Sequence, residues 1–245
     1  MRAFISATLL CVWVSTASAQ PSATQAVQQV QQFYANIKQV TAMFRQEVTN
    51  NTFGSTKQSD GTVWLVKPGK MRWDYLEKKP TGVVVKKSFI SDGKELWVVD
   101  HENKQVLKKN LQQDMLPVAV TFLYGTGDLT KEFNPAIDTS SSYGAKGDVV
   151  LKLTPKQPSA QYKALYLVTN ATDSHVKESI IVDSSGNVNH FHFFAPDFQK
   201  PIADNIFEFN PASVKSYRIV DADQPPPAQG SGATAPLPPP PAPNK

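Results

Sequence analysis

The stretch that most constrains the fold is Gly61 to Tyr75, GTVWLVKPGKMRWDY. It reads as two strands joined by a Pro-Gly turn, with a large apolar or aromatic residue at almost every second position. On the second strand Met71, Trp73 and Tyr75 share one face, and Arg72, Asp74 and Leu76 share the other. The same two-residue period runs on both sides. It predicts strands near 41–50, 57–67, 70–77, 83–91, 95–100 and 105–109, then near 136–142, 148–154, 164–170, 176–183, 187–194 and 205–209. Asn50-Asn51, Pro68-Gly69, Lys79-Pro80, Asp92-Gly93 and Asp183 to Asn187 are the turns between them. Strands this close, with turns this short, make an antiparallel meander.

Helices are few. In Ala23 to Asn36 the apolar Val27, Val30, Phe33 and Tyr34, followed by Ile37, recur on one face, with Pro21 and Ser22 at the start position. This amphipathic helix must lie on something. Leu111 to Tyr124 reads as a short helix with Pro117 in its first turn, and Asp128 to Glu132 as one further turn. Alternating strand–helix units are excluded. The fold class is therefore mainly β (α+β), one strongly curved antiparallel sheet or open barrel with helices over one face or mouth.

The two ends differ in kind. Arg2, the apolar run Ala3 to Val14 and the small-x-small signal Ala17-Ser18-Ala19 describe a secretory signal peptide over 1–19. The run is too short to span a bilayer. Cys11 raises lipidation as a rival, but Leu10 occupies the position where a small residue is needed. Cys11 is the single cysteine, so the mature chain is expected to carry no thiol, which suits a periplasm and excludes disulfides and thiol catalysis. Residues 224–245, with 9 prolines in 22 residues, read as a disordered or polyproline tail, an inert spacer or a docking peptide. Between them, 20–223 suffices for one well-buried domain. The formal net charge of +4, one less without Arg2, and the lack of long basic runs argue against nucleic acid.

No nucleophile elbow, HExxH or phosphate loop occurs, so no enzyme and no cofactor is expected. His101 and His175 sit at turn or strand starts and read as solvated. His190 and His192 share one strand face, but Phe191 and Phe193 are the more apolar set, so the histidines are expected to face solvent and bind no metal. What stands out is the rings Trp64, Trp73, Tyr75 and Trp97, with the flexible Met71, on neighbouring strands. Such flat and flexible groups suit either a ligand cavity or a ring-rich core under a helix.

In order along the chain, Phe44-Arg45-Gln46, the Gly61–Tyr75 stretch, Ile90 to Lys94 with Leu96-Trp97, Leu116-Pro117, Val150 to Pro155, Asp183 to Asn187 and Phe207-Glu208-Phe209 resemble the LolA family of periplasmic outer-membrane lipoprotein carriers. The resemblance covers about Ala23 to Val220. It implies an incomplete barrel with a helical lid over an apolar cavity for acyl chains. Tyr34, Val40, Met71, Trp73, Tyr75 and Val118 would lie on the cavity face. It also implies a monomeric carrier. Acylated lipoproteins would come from an inner-membrane ABC-type releasing complex and pass to an outer-membrane, LolB-like acceptor. Where several members have an arginine before the Pro-Gly turn as a lid latch, this chain has Lys67, with Arg72 nearby as a substitute. A lipid-sensing regulator on the same fold and a hydrolase of apolar substrates are the alternatives.

Overall fold

The computed structural model describes residues 21–111, 128–140, 142–159 and 162–224. Helix α1 (Ala23–Asn36) begins with a capping box: the Ser22 hydroxyl accepts from Gln25 N–H, and the Gln25 side chain accepts from Ser22 N–H. It buries Ala26, Val27, Val30 and Tyr34. Two meanders follow. The first comprises β1 (Gln39–Asn50), β2 (Ser55–Val66), β3 (Lys70–Lys79), β4 (Gly82–Asp92), β5 (Glu95–Asp100) and β6 (Gln105–Asn110). After a single turn of helix, α2 (Leu129–Glu132), come β7 (Phe133–Ile137), β8 (Val149–Pro155), β9 (Ala164–Thr169), β10 (Val176–Val182) and β11 (Val188–Asp197).

All join one sheet in the order β6-β5-β4-β3-β2-β1-β11-β10-β9-β8-β7. The long β1 pairs with β11 and so fuses the two meanders at the centre. A last strand, β12 (Arg218–Asp221), adds parallel to β6 and makes twelve. β7 and β12 are edges, so the curved sheet stays open as an incomplete barrel.

Both faces are covered, in different places. On the inner face α1 packs with Leu129, Phe133, Leu151, Leu153, Leu165 and Leu167 over the second meander. Phe44, Val63, Leu65 and Met71 build a second inner cluster on β1–β3. On the outer face Tyr143 and its segment lie over Val150, Val168 and Ile180. The C-terminal segment lies over Ile90, Val99 and Val106. The run Val149 to Leu151 is thus apolar on both sides because both sides are buried.

Three expectations need correction. Asn205 to Phe209 is not a strand: Asp204–Phe207 is a 3-10 turn that crosses the outer face. Its alternating apolar residues serve as plugs, with Phe207 buried and Phe209 stacked on Trp97 at 5.9 Å. The strand expected at 136–142 runs earlier, over Phe133–Ile137. β12 is additional. The helix expected at Leu111 to Tyr124 lies almost wholly outside the described residues.

Gly61 shows how tightly the sheet is packed. It pairs with Phe44 and Tyr75, and the Phe44 ring lies across it. A Cβ there would stand 2.4 Å from Phe44 Cζ and 2.2 Å from the Asp74 carbonyl oxygen. The ring could tilt; the neighbouring strand could not. Gly61→Ala is expected to cost about 3 kcal/mol in urea denaturation.

Candidate functional site

The inner face of the first meander carries a continuous group of rings. Phe44 contacts Trp73, Tyr75 and Phe191 at centroid distances of 5.1, 5.0 and 5.9 Å. Trp73 contacts Phe191 at 5.5 Å and Phe193 at 6.3 Å, and Tyr75 reaches Phe89 at 5.7 Å. Strand alternation and pairing produce this: Met71, Trp73 and Tyr75 fall on one face of β3, and Phe191 and Phe193 turn inward from β11. Phe44 and Met71 are buried, whereas Trp73, Tyr75, Phe191 and Phe193 keep partial exposure.

Where this face meets α1, an apolar pocket opens. Tyr34 contributes from α1, Val40 and Ala42 from β1, Val63 and Leu65 from β2, and Trp73 from β3. Val176, Phe193, Pro196 and Phe198 complete it. No lining residue carries a charge. The space is about 30 Å³, enough for a water or two and far below the roughly 300–1,000 Å³ of ligand pockets. Occupation by anything larger requires the rings to move apart.

Tyr34 is pinned at this corner. Its hydroxyl oxygen accepts from Val176 N–H at 3.1 Å, and burial pushes its phenol well above the ordinary value. Burial also raises Tyr75 to about 12. The Lys67 ammonium, beside the Pro-Gly turn, donates to the Tyr34 carbonyl. This places a cation at the C-terminal end of α1, where the helix dipole favours one. Partial burial lowers its pKa.

Of the cavity residues expected from the sequence, the fold brings Tyr34, Val40 and Trp73 to the pocket, with Met71 and Tyr75 in the adjoining ring face. Trp64 and Trp97 are not there. Trp64 pairs with Arg72 and Trp97 with Ile90, which turns both to the outer face, where Trp97 packs under the C-terminal segment. Arg72 also faces outward, bound to Asp74 and the Ile206 carbonyl, so it stands apart from the pocket. Val118 lies outside the described residues. Val63, Leu65, Val176 and Phe198 went unrecognised in the sequence; only strand pairing reveals them.

The histidines also need correction. His101 Nδ1 lies 2.9 Å from the Tyr217 hydroxyl, and His175 bonds to Asp173 and packs near Phe33 and Phe198, so neither is simply solvated. His190 and His192 do turn outward, yet their side chains are only 14% and 27% exposed.

Comparison with known proteins decides the family. The sequence model described as outer membrane lipoprotein carrier protein LolA matches residues 35–210, most of the chain. The chain belongs to the LolA family. An outer-membrane lipoprotein carrier protein of Dechloromonas aromatica is 27% identical over 186 residues, covering 76% of this chain and 84% of that one. The counterpart from Alkalilimnicola ehrlichii is 25% identical and covers 85% and 90%. Among solved structures, an uncharacterized conserved protein from Thermus thermophilus overlays with a TM-score of 0.49 at 11% identity, covering 81% of this chain and 98% of that one. Among the described residues no helix is long and apolar enough to cross a membrane.

Proposed function

We propose that this LolA-family chain carries acylated lipoproteins through the periplasm and holds their acyl chains against the ring face beside α1. The observation that supports this most is the pocket of Tyr34, Val40, Trp73 and Phe193, apolar throughout and continuous with half-exposed rings. Each methylene removed from water contributes roughly 0.8 kcal/mol, so two or three free acyl chains would cost tens of kcal/mol. A carrier must hide them and still let them go. Rings that close on themselves when empty meet both needs: opening them offsets part of the binding energy, and the pocket collapses behind the departing cargo. In this reading an inner-membrane ABC-type complex loads the carrier, and an outer-membrane acceptor unloads it.

The test is purification from the periplasm and mass spectrometry of what is bound. Acylated lipoprotein should copurify, and the protein should release lipoprotein from spheroplasts. Trp73→Ala is expected to retain about tenfold less cargo, corresponding to about 1.4 kcal/mol. Absence of acylated cargo together with absence of release overturns the proposal.

Lys67 is the corresponding candidate for control. Its contact with the last turn of α1 ties the Pro-Gly turn to the helix that forms one wall of the pocket. Lys67→Ala is expected to change the rates of loading and release several-fold with little change in fold. Unchanged rates remove the latch role. Lys67→Arg, which keeps the cation, should hold both rates near those of the wild type.

A further inference from the structure

The outer face of the sheet carries a constellation that cargo binding does not use. Glu47 on β1, His190 and His192 on β11 and Glu178 on β10 come from three adjacent strands. Pairing sets Glu47 opposite His190 and Glu178 opposite His192. The two imidazoles, one residue apart on the same face, stack with centroids 3.8 Å apart. His190 Nε2 lies 2.9 Å from Glu178 Oε2, and His192 Nδ1 lies 3.9 Å from Glu178 Oε1. Nε2 of His192 lies 4.0 Å from Glu47 Oε2. One ligand atom each from Glu47, His190 and His192 falls within 4.8 Å of the others.

We infer that Glu47, His190 and His192 form a binding site for a divalent transition-metal ion of the zinc class. Two imidazole nitrogens and a carboxylate oxygen are the donor types that borderline divalent ions select. Ligands sharing a tetrahedral zinc sit about 3.4 Å apart, so modest side-chain rotations close the site. Glu47, 39% exposed, has the freedom to make them. Glu178 lies on the other side of the imidazoles and orients them, as carboxylates behind metal-bound histidines do. It is itself held: Gly144 N–H donates to it, and the Tyr143 ring lies 5.4 Å from His190. Arg45, the nearest cation on β1, is engaged by Asp60 at 2.8 Å and does not compete.

A bound ion would clamp β11 to β1, behind the face on which β11 presents Phe191 and Phe193 to the rings.

The experiment uses the full mature chain without a histidine tag, titrated calorimetrically with zinc chloride and, separately, with cobalt(II) followed by visible absorption. One zinc per chain is expected, with a tetrahedral cobalt spectrum and a raised thermal midpoint. Glu47→Gln, a change at a partly exposed side chain, should weaken zinc binding at least tenfold. His190→Ala/His192→Ala should abolish it, and His101→Asn should leave it intact. No binding by the wild type overturns the site. So does binding that survives Glu47→Gln at full strength, or that is lost in His101→Asn. If the double variant does not fold, Glu47→Gln and the cobalt spectrum decide.

Discussion

Phe44→Ala is expected to lower the unfolding free energy by about 3–5 kcal/mol, the range for deleting a buried aromatic ring. Phe44 is 2% exposed and touches Trp73, Tyr75 and Phe191 together. Its removal forfeits the transfer of the ring itself and three aromatic contacts, each worth roughly 0.5–1.5 kcal/mol beyond area. The rings around it sit on rigid, paired strands and can collapse only partly. The midpoint of urea unfolding should fall with the slope unchanged. Gly61→Ala supplies an internal check. In the Phe44→Ala background its cost should shrink, because one of the two clashes is gone, but not vanish, because the Asp74 carbonyl remains. A loss under 1 kcal/mol for Phe44→Ala would mean that the ring face is not packed around this residue.

The same residues show what a sequence can and cannot tell. On β3 the apolar Met71, Trp73 and Tyr75 alternate with Arg72 and Asp74, so the faces are marked and the inner face was legible. On β2 the run Val63-Trp64-Leu65-Val66 has no polar marker, so ring content alone points Trp64 toward the cavity. Pairing with Thr41 and Arg72 decides the other way. Trp97 fails for a related reason: the C-terminal segment builds a second core on the outer face, so a buried tryptophan there needs no inner cavity. Helix α1 was readable at both ends because a Ser-x-x-Gln cap and four apolar residues at helical spacing are local signals. The union of Glu47 with His190 was not readable. It depends on β1 and β11 meeting from opposite ends of the chain, with no turn to announce it. β12 is four residues long, pairs in parallel and has neither alternation nor a hairpin signal.

Arg72→Met is expected to cost about 3–5 kcal/mol, the range for stripping the partner from a buried ion pair. Asp74 is 7% exposed on the outer face of β3. Arg72 Nε donates to both its oxygens at 3.0 and 2.9 Å, and the Ser88 hydroxyl donates at 2.7 Å. With the guanidinium gone, a buried carboxylate is left with the Ser88 hydroxyl as its side-chain donor among the described residues. The second loss lies further away. Arg72 Nη1 also donates to the Ile206 carbonyl at 3.1 Å and so fastens the 3-10 turn that brings Phe207 and Phe209 onto the sheet. Amide exchange over 204–217 should therefore quicken in Arg72→Met while that of β8 and β9 stays slow. Arg72→Lys keeps the charge but cannot serve the carboxylate and the carbonyl with one planar fork, so it should recover only part of the stability. Arg72→Met/Asp74→Leu removes the stranded charge and should recover more than Arg72→Lys, without restoring slow exchange at the turn. Stability and exchange thus part company in the double variant, which separates the cost of an unpaired carboxylate from the anchoring of the C-terminal segment.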